Sequence, residues 1–285
     1  MRKRVNAAFV ALALSGLTGT AGADPGTATH VDSVSASAGS ASVSVAGGAT
    51  FVDTPATVAE DGVGDVLIPG IGADVSGAQI SRAPGSNTLV FRMNIGDMPQ
   101  GVAAPGVVYG WGISVDGNDS GLYLEASRVG ASGCTNGCFR LYRDNGDGTS
   151  TTVTTLSGTM GNGAVTWNVG VGTLGASTGS LVGLGGGGLT GTINGADGVG
   201  FCCVLLDDFF ADDYRVPGPT VQLGIAEAGT PEALVPLTAS ATVTVGTGAF
   251  TGVLPKPAQA GEYIVVAKAC YVATACGTAS TTLLI

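Results

Sequence analysis

The sequence predicts an all-β chain made of two β-sandwich domains, the second of them small. Three observations point there. Charged residues are only 11% of the 285 and Gly alone contributes 49, so the Leu, Glu, Lys and Arg that long helices need on their faces are scarce. Val and Thr, which suit half-buried strands, are plentiful instead. Short alternating runs recur along the chain, divided by Gly, Asn, Asp and Pro, and Arg215-Val-Pro-Gly-Pro219 then breaks the pattern near residue 215.

In chain order, residues 1–23 read as a secretory signal peptide. Arg2, Lys3 and Arg4 form a basic start, an apolar stretch runs from Ala7 to about Leu17, and Ala21-Gly22-Ala23 gives small residues at a cleavage site. Residues 24–40 are Ser, Ala, Gly and Thr with little pattern and read as a flexible lead-in. A first domain is expected over 41–213, a linker over 214–219 and a second domain over 220–285. Within the first domain, strands are expected at 41–45, 88–95, 107–115, 122–127, 139–143, 151–156, 164–169 and 201–206. Asp116-Gly-Asn-Asp-Ser-Gly121 and Asp144-Asn-Gly-Asp-Gly148 read as hairpin turns. Val107, Tyr109, Trp111, Ile113 and Val115 share one strand face, so core packing is the expectation for Tyr109, Trp111 and Trp167. The second domain should hold strands at 221–225, 239–245, 250–254, 263–270 and 278–284.

Six cysteines, an even number, suit disulfides in an exported chain. Spacing favours Cys134–Cys138 and Cys270–Cys276. Cys202 and Cys203 are adjacent, so their side chains point apart on a strand, and buried thiols or partners elsewhere are expected. The single His and the cysteine spacings do not make a zinc set.

Two resemblances accompany these patterns. Ala260-Gly-Glu-Tyr263, continuing through Ile-Val-Val-Ala267, resembles the stretch before the late strand of immunoglobulin-like domains. That resemblance implies a tyrosine corner at Tyr263, whose hydroxyl would bond the backbone upstream, and it makes the second domain immunoglobulin-like. Glu60-Asp-Gly-Val-Gly-Asp65, Ala73-Asp-Val-Ser-Gly-Ala-Gln-Ile80 and Thr88-Leu-Val-Phe-Arg-Met93, followed by Tyr109-Gly-Trp111 and Val165-Thr-Trp167, are similar in rhythm to DOMON-like and carbohydrate-binding-module-like sandwiches of bacterial exported proteins. That similarity implies sugar or haem as ligand, and the chain lacks His and Met spacing for haem.

The chain carries 11 basic against 21 acidic residues, and signal removal would take three of the basic ones. Such a balance argues against nucleic acid and anionic membranes as partners. No apolar run of spanning length follows the signal. Gly175-Ala-Ser177-Thr-Gly179 has the nucleophile-elbow pattern, but the only His, His30, precedes it in the lead-in. Gly170-Val-Gly-Thr-Leu-Gly175 lacks the helix that a dinucleotide site needs. Asp116, Asn118 and Ser120 place oxygens at alternate positions before a Gly, a candidate calcium loop without its twelfth-position Glu. Asp207, Asp208, Asp212, Asp213 and Tyr214 form an acidic and aromatic stretch, a candidate ligand surface. No catalytic set is found. The expected function is an exported, non-catalytic binding or adhesion protein with a glycan or a surface protein as partner and calcium as the one candidate cofactor. The alternatives are a structural surface or matrix protein and a carboxylate-based glycoside hydrolase.

Overall fold

A computed structural model describes residues 28–64, 70, 72–98, 107–127, 138–147, 149–183, 188–193, 203–209, 212–244, 246–272 and 275–285. These residues form strands and two single-turn 3-10 helices, and no helix among them is long and apolar enough to cross a membrane. The signal-like segment 1–23 lies outside the described residues. The all-β class is as the composition requires.

The strands run β1 (His30–Ala38), β2 (Ser42–Thr50), β3 (Ala56–Glu60), β4 (Val75–Ser81), β5 (Thr88–Ile95), β6 (Val107–Val115), β7 (Asn118–Ser127), β8 (Cys138–Asp144), β9 (Ser150–Thr155), β10 (Ser157–Gly161), β11 (Ala164–Gly170), β12 (Leu181–Gly183), β13 (Gly188–Ile193), β14 (Cys203–Phe209), β15 (Tyr214–Arg215), β16 (Thr220–Glu227), β17 (Leu237–Ser240), β18 (Thr242–Val243), β19 (Ala249–Pro255), β20 (Glu262–Val272) and β21 (Ala275–Leu284). They build four antiparallel sheets around two separate cores.

The larger sandwich faces the sheet β10-β11-β5-β4-β3 against the eight-stranded sheet β14-β13-β6-β7-β8-β9, to which β12 and β15 attach. Strand alternation sends Phe91 and Trp167 inward from one sheet and Tyr109, Trp111, Leu124 and Leu141 from the other; all are fully buried. The Trp111 ring meets Phe91 and Trp167 edge-on, with centroids 5.3 and 6.3 Å apart. This edge-to-face geometry suits the ring quadrupoles.

The smaller sandwich is not made from the chain's last third alone. Its sheets are β1-β2-β19-β18 and β17-β16-β20-β21. β2 pairs with β19 from Ser42↔Pro255 to Gly48↔Ala249, and Val43, Val45 and Ala49 share one core with Val221, Leu223, Phe250, Leu254 and Val265. The expected boundaries therefore change in two places. Most of the lead-in over 24–40 is strand β1, and residues 42–50 belong with 220–285 rather than with the first domain. The larger sandwich is an insertion between β2 and β16. The segment escapes a pattern reading because its side chains are small and its partners supply the bulk. Gly47 shows this: a Cβ there would overlap Ser33 O and the Phe250 ring.

The Cys270–Cys276 disulfide forms across the β20–β21 hairpin, where the two residues are register partners. Cys138 is also disulfide-bonded. Cys134 and Cys202 lie outside the described residues, and Cys203 opens β14. Tyr263 Oη donates to Gln259 O at 2.9 Å, the bond expected of a tyrosine corner.

Two connections, residues 51–55 and 216–219, join the sandwiches, and Arg82 ties them. Its Nη1 donates to Pro217 O (2.7 Å) and Thr178 Oγ1 (2.9 Å), and its Nε donates to Ser86 O (2.8 Å). Its backbone N–H donates to Asp53 Oδ2 (2.9 Å), and its carbonyl accepts Tyr271 Oη (2.6 Å) from the smaller sandwich. Burial pushes the Tyr271 phenol up to about 12, with the Asp53 charge adding to the shift and the Arg82 charge opposing it. A raised phenol pKa favours the neutral form in the fold, so this stabilisation is complete below about pH 10, the unfolded value, and is lost as pH rises through about 12. Melting temperature should therefore fall between pH 10 and 12, and less steeply in Tyr271→Phe. An equal fall in both proteins, followed by circular dichroism, would remove Tyr271 from this role.

Candidate ligand-binding face

Among the described residues, the outer face of the eight-stranded sheet carries a well-assembled group of polar and aromatic side chains. The alternation that buries Trp111, Leu124 and Leu141 turns Gly110, Gly112 and Ser114 of β6 outward. It does the same for Tyr123 and Glu125 of β7 and for Arg140 and Tyr142 of β8. Register then sorts them into two rows. Gly110, Glu125, Arg140 and Thr155 lie side by side across β6, β7, β8 and β9; Gly112, Tyr123, Tyr142 and Thr152 form the next row.

In the second row the Tyr123 and Tyr142 rings stack, with centroids 5.2 Å apart and planes inclined by 17°. In the first, Arg140 reaches along its own strand and donates from Nη1 to Tyr142 Oη at 2.9 Å. Burial raises the Glu125 carboxyl above its ordinary range, and the Arg140 charge pulls it partly back. Burial also raises the Tyr123 phenol, while a hydrogen bond with Ser150 opposes that shift. Glycine at positions 110 and 112 means that β6 sets no side chain of its own beside Glu125 or Tyr123.

One acid from the predicted acidic stretch joins this face. Gly183 of β12 pairs with Ser114 of β6, and the Asp213 carboxylate lies over it. A Cβ at Gly183 would overlap Asp213 Oδ1 and would sit 3.1 Å from Ser114 Oγ. Asp207 and Asp208 occupy β14 opposite Thr190 and Leu189; Leu189 in turn pairs with Gly110, so Asp208 holds the β14 position of the Glu125 row. Asp212 is exposed, and its N–H donates to Val58 O (2.6 Å). Tyr214 is buried in the core between the sheets, where burial, and next the Asp53 charge, raise its phenol pKa.

The candidate calcium loop is a tight hairpin. Val115 pairs with Asn118, leaving Asp116 and Gly117 as the two turn residues, both with positive φ, as a primed turn requires. Asp116 Oδ1 accepts Leu181 N–H, and Asp116 N–H donates to Leu181 O, each at 2.8 Å. Asn118 and Ser120 then continue along extended β7. Extended backbone carries alternate positions along the strand, whereas a calcium loop curls its backbone about one point. In the second hairpin, Asp144 Oδ1 accepts Gly146 N–H and Asp147 Oδ1 accepts Thr149 N–H. Among the described residues no group of three or more His, Cys, Asp or Glu is placed to hold a metal.

Tyr123, Glu125, Arg140 and Tyr142 were not singled out by sequence. Their signal is the polar half of the alternation in 122–127 and 139–143. Only register reveals that the two tyrosines face one another. Comparison with known protein families, curated proteins and solved structures returns no match for this chain.

Proposed function

We propose that this chain is an exported, non-catalytic binding protein whose Tyr123–Tyr142 face takes a carbohydrate. The observation that carries the reading is the stacked tyrosine pair on the solvent side of the sheet, flanked by Glu125 and Arg140. Sugars present apolar C–H faces that pack on aromatic rings, and hydroxyls that donate to carboxylates and accept from guanidinium groups. Arg140 lies on the same face as the two rings, so one ligand can use both kinds of contact. Export is supported by the three-part pattern of residues 1–23 and by the Cys270–Cys276 disulfide, a bond typical of oxidising compartments.

A glycan array probed with residues 24–285 should give a defined set of bound sugars. Tyr123→Ala and Tyr142→Ala should each weaken that binding about tenfold, equivalent to ~1.4 kcal/mol, without lowering the melting temperature by more than a few degrees. An array on which the wild-type protein binds nothing would sink the carbohydrate reading in favour of a structural surface protein.

A further inference from the structure

We infer that the sugar recognised at this face is neutral and is held through a pair of adjacent hydroxyls, one by Glu125 and the other by Arg140. This rests on the carbohydrate reading above. Glu125 and Arg140 are direct cross-strand partners on β7 and β8, so their heads reach the same neighbourhood. One is an acceptor and the other a donor. Adjacent ring hydroxyls are suited to such a pair, because each can donate one hydrogen bond and accept another.

The charge balance of the face decides against an acidic sugar. Its described ionisable groups, besides the tyrosines, include Glu125, Asp144, Asp213, Arg140 and Arg215, and the Asp144 charge reaches Tyr123, so the acids outnumber the cations. Each cation is also engaged on the chain itself: Arg140 Nη1 bonds Tyr142 Oη, and Arg215 Nη1 bonds Gly179 O at 2.8 Å. A uronate carboxylate brought here would meet Glu125, Asp144 and Asp213, three acids against two cations that each already serve a partner on the chain. Glu125 is already partly removed from water, which strengthens such a repulsion. The net charge of −10 over the whole chain adds to the cost of approach for a polyanion. A neutral sugar meets none of these penalties. It can lie on the Tyr123 side of the tyrosine pair, over positions 110 and 112, where β6 has no side chain to compete with it.

Affinity electrophoresis of residues 24–285 tests this, with gels containing laminarin, dextran or galactomannan as neutral probes and alginate or polygalacturonate as anionic ones. Retardation is expected in at least one neutral gel and in neither anionic gel. Glu125→Ala and Arg140→Met should each raise the dissociation constant in that neutral gel at least tenfold, while Glu125→Gln, which keeps an acceptor, retains most of the binding. Retardation by alginate or polygalacturonate that Arg140→Met abolishes and Glu125→Gln strengthens would overturn the neutral-sugar inference but leave the carbohydrate reading standing. Retardation by a neutral probe that neither Glu125→Ala nor Arg140→Met changes would overturn the hydroxyl pair. Migration unaffected by all five polysaccharides would overturn the carbohydrate reading, and the inference would fall with it.

Discussion

Residues 220–285 expressed alone will fail to fold, and the same residues joined through a Gly/Ser linker to residues 28–50 will fold cooperatively. The smaller core draws Val43, Val45 and Ala49 from β2, each at most 4% exposed, and Val31, Val34 and Ala36 of β1 pack against it. Without that hairpin, β19 loses its partner from Ser42 to Gly48, and Phe250 and Leu254 lose the side chains that cover them. Burying a Val side chain is worth roughly 1.5–3 kcal/mol. Two buried valines are therefore comparable with the whole stability of a small domain, about 5 kcal/mol at the low end. A chain that starts at residue 220 also has an uncovered sheet edge in β19, which favours aggregation. Near-ultraviolet circular dichroism and a thermal melt distinguish the outcomes. A sharp, reversible transition for 220–285 alone would show that the hairpin is dispensable.

Trp167→Ala should have the largest effect of any single substitution in the larger sandwich, a loss of about 3–5 kcal/mol. Trp167 is fully buried at the centre of β11, between strands β10 and β5, and its ring meets Trp111 edge-on. Truncation removes the apolar burial and the aromatic contact together, and it leaves a cavity that Phe91 and Trp111 are too constrained to fill. Denaturant unfolding should show the loss mainly in the transition of the larger sandwich, because the smaller one has its own core. A loss below 1 kcal/mol would mean that this layer repacks freely and that the aromatic cluster does not organise it.

Much of the fold was legible wherever large side chains alternate. Strands at 88–95 and 107–115 form over those residues, because Leu89, Phe91 and Met93, then Tyr109, Trp111 and Ile113, set a period of two that helix cannot use. The hairpin disulfide was legible because its residues are close in sequence. The β1–β2 hairpin was not, since Ser, Ala and Gly give no contrast between faces and the bulk that covers them comes from about 200 residues away in sequence. β12 and β15, three and two residues long, carry too few positions to show any period.

The candidate face was half legible for a related reason. The alternation in 122–127 and 139–143 sets Tyr123, Glu125, Arg140 and Tyr142 on the polar half of their strands. Their mutual positions depend on register, and a one-residue slip would reorder every row. That register includes shifts near Ile113 in β6 and Leu141 in β8, which local patterns do not announce. The arrival of Asp213 over Gly183 depends on a crossover between distant segments. Asp212 and Tyr214 sit beside Asp213 in sequence yet go to other places, Asp212 to an exposed position and Tyr214 into the core.

The most direct test of the functional account is a pair of dissociation constants, measured by titration calorimetry for wild-type protein and for Tyr123→Ala against the strongest glycan from the array. The account predicts binding by the wild type and about a tenfold weakening in the variant, with both proteins melting within a few degrees of each other. Equal dissociation constants for the two proteins would contradict it, because the sugar would then be bound somewhere other than the Tyr123–Tyr142 face.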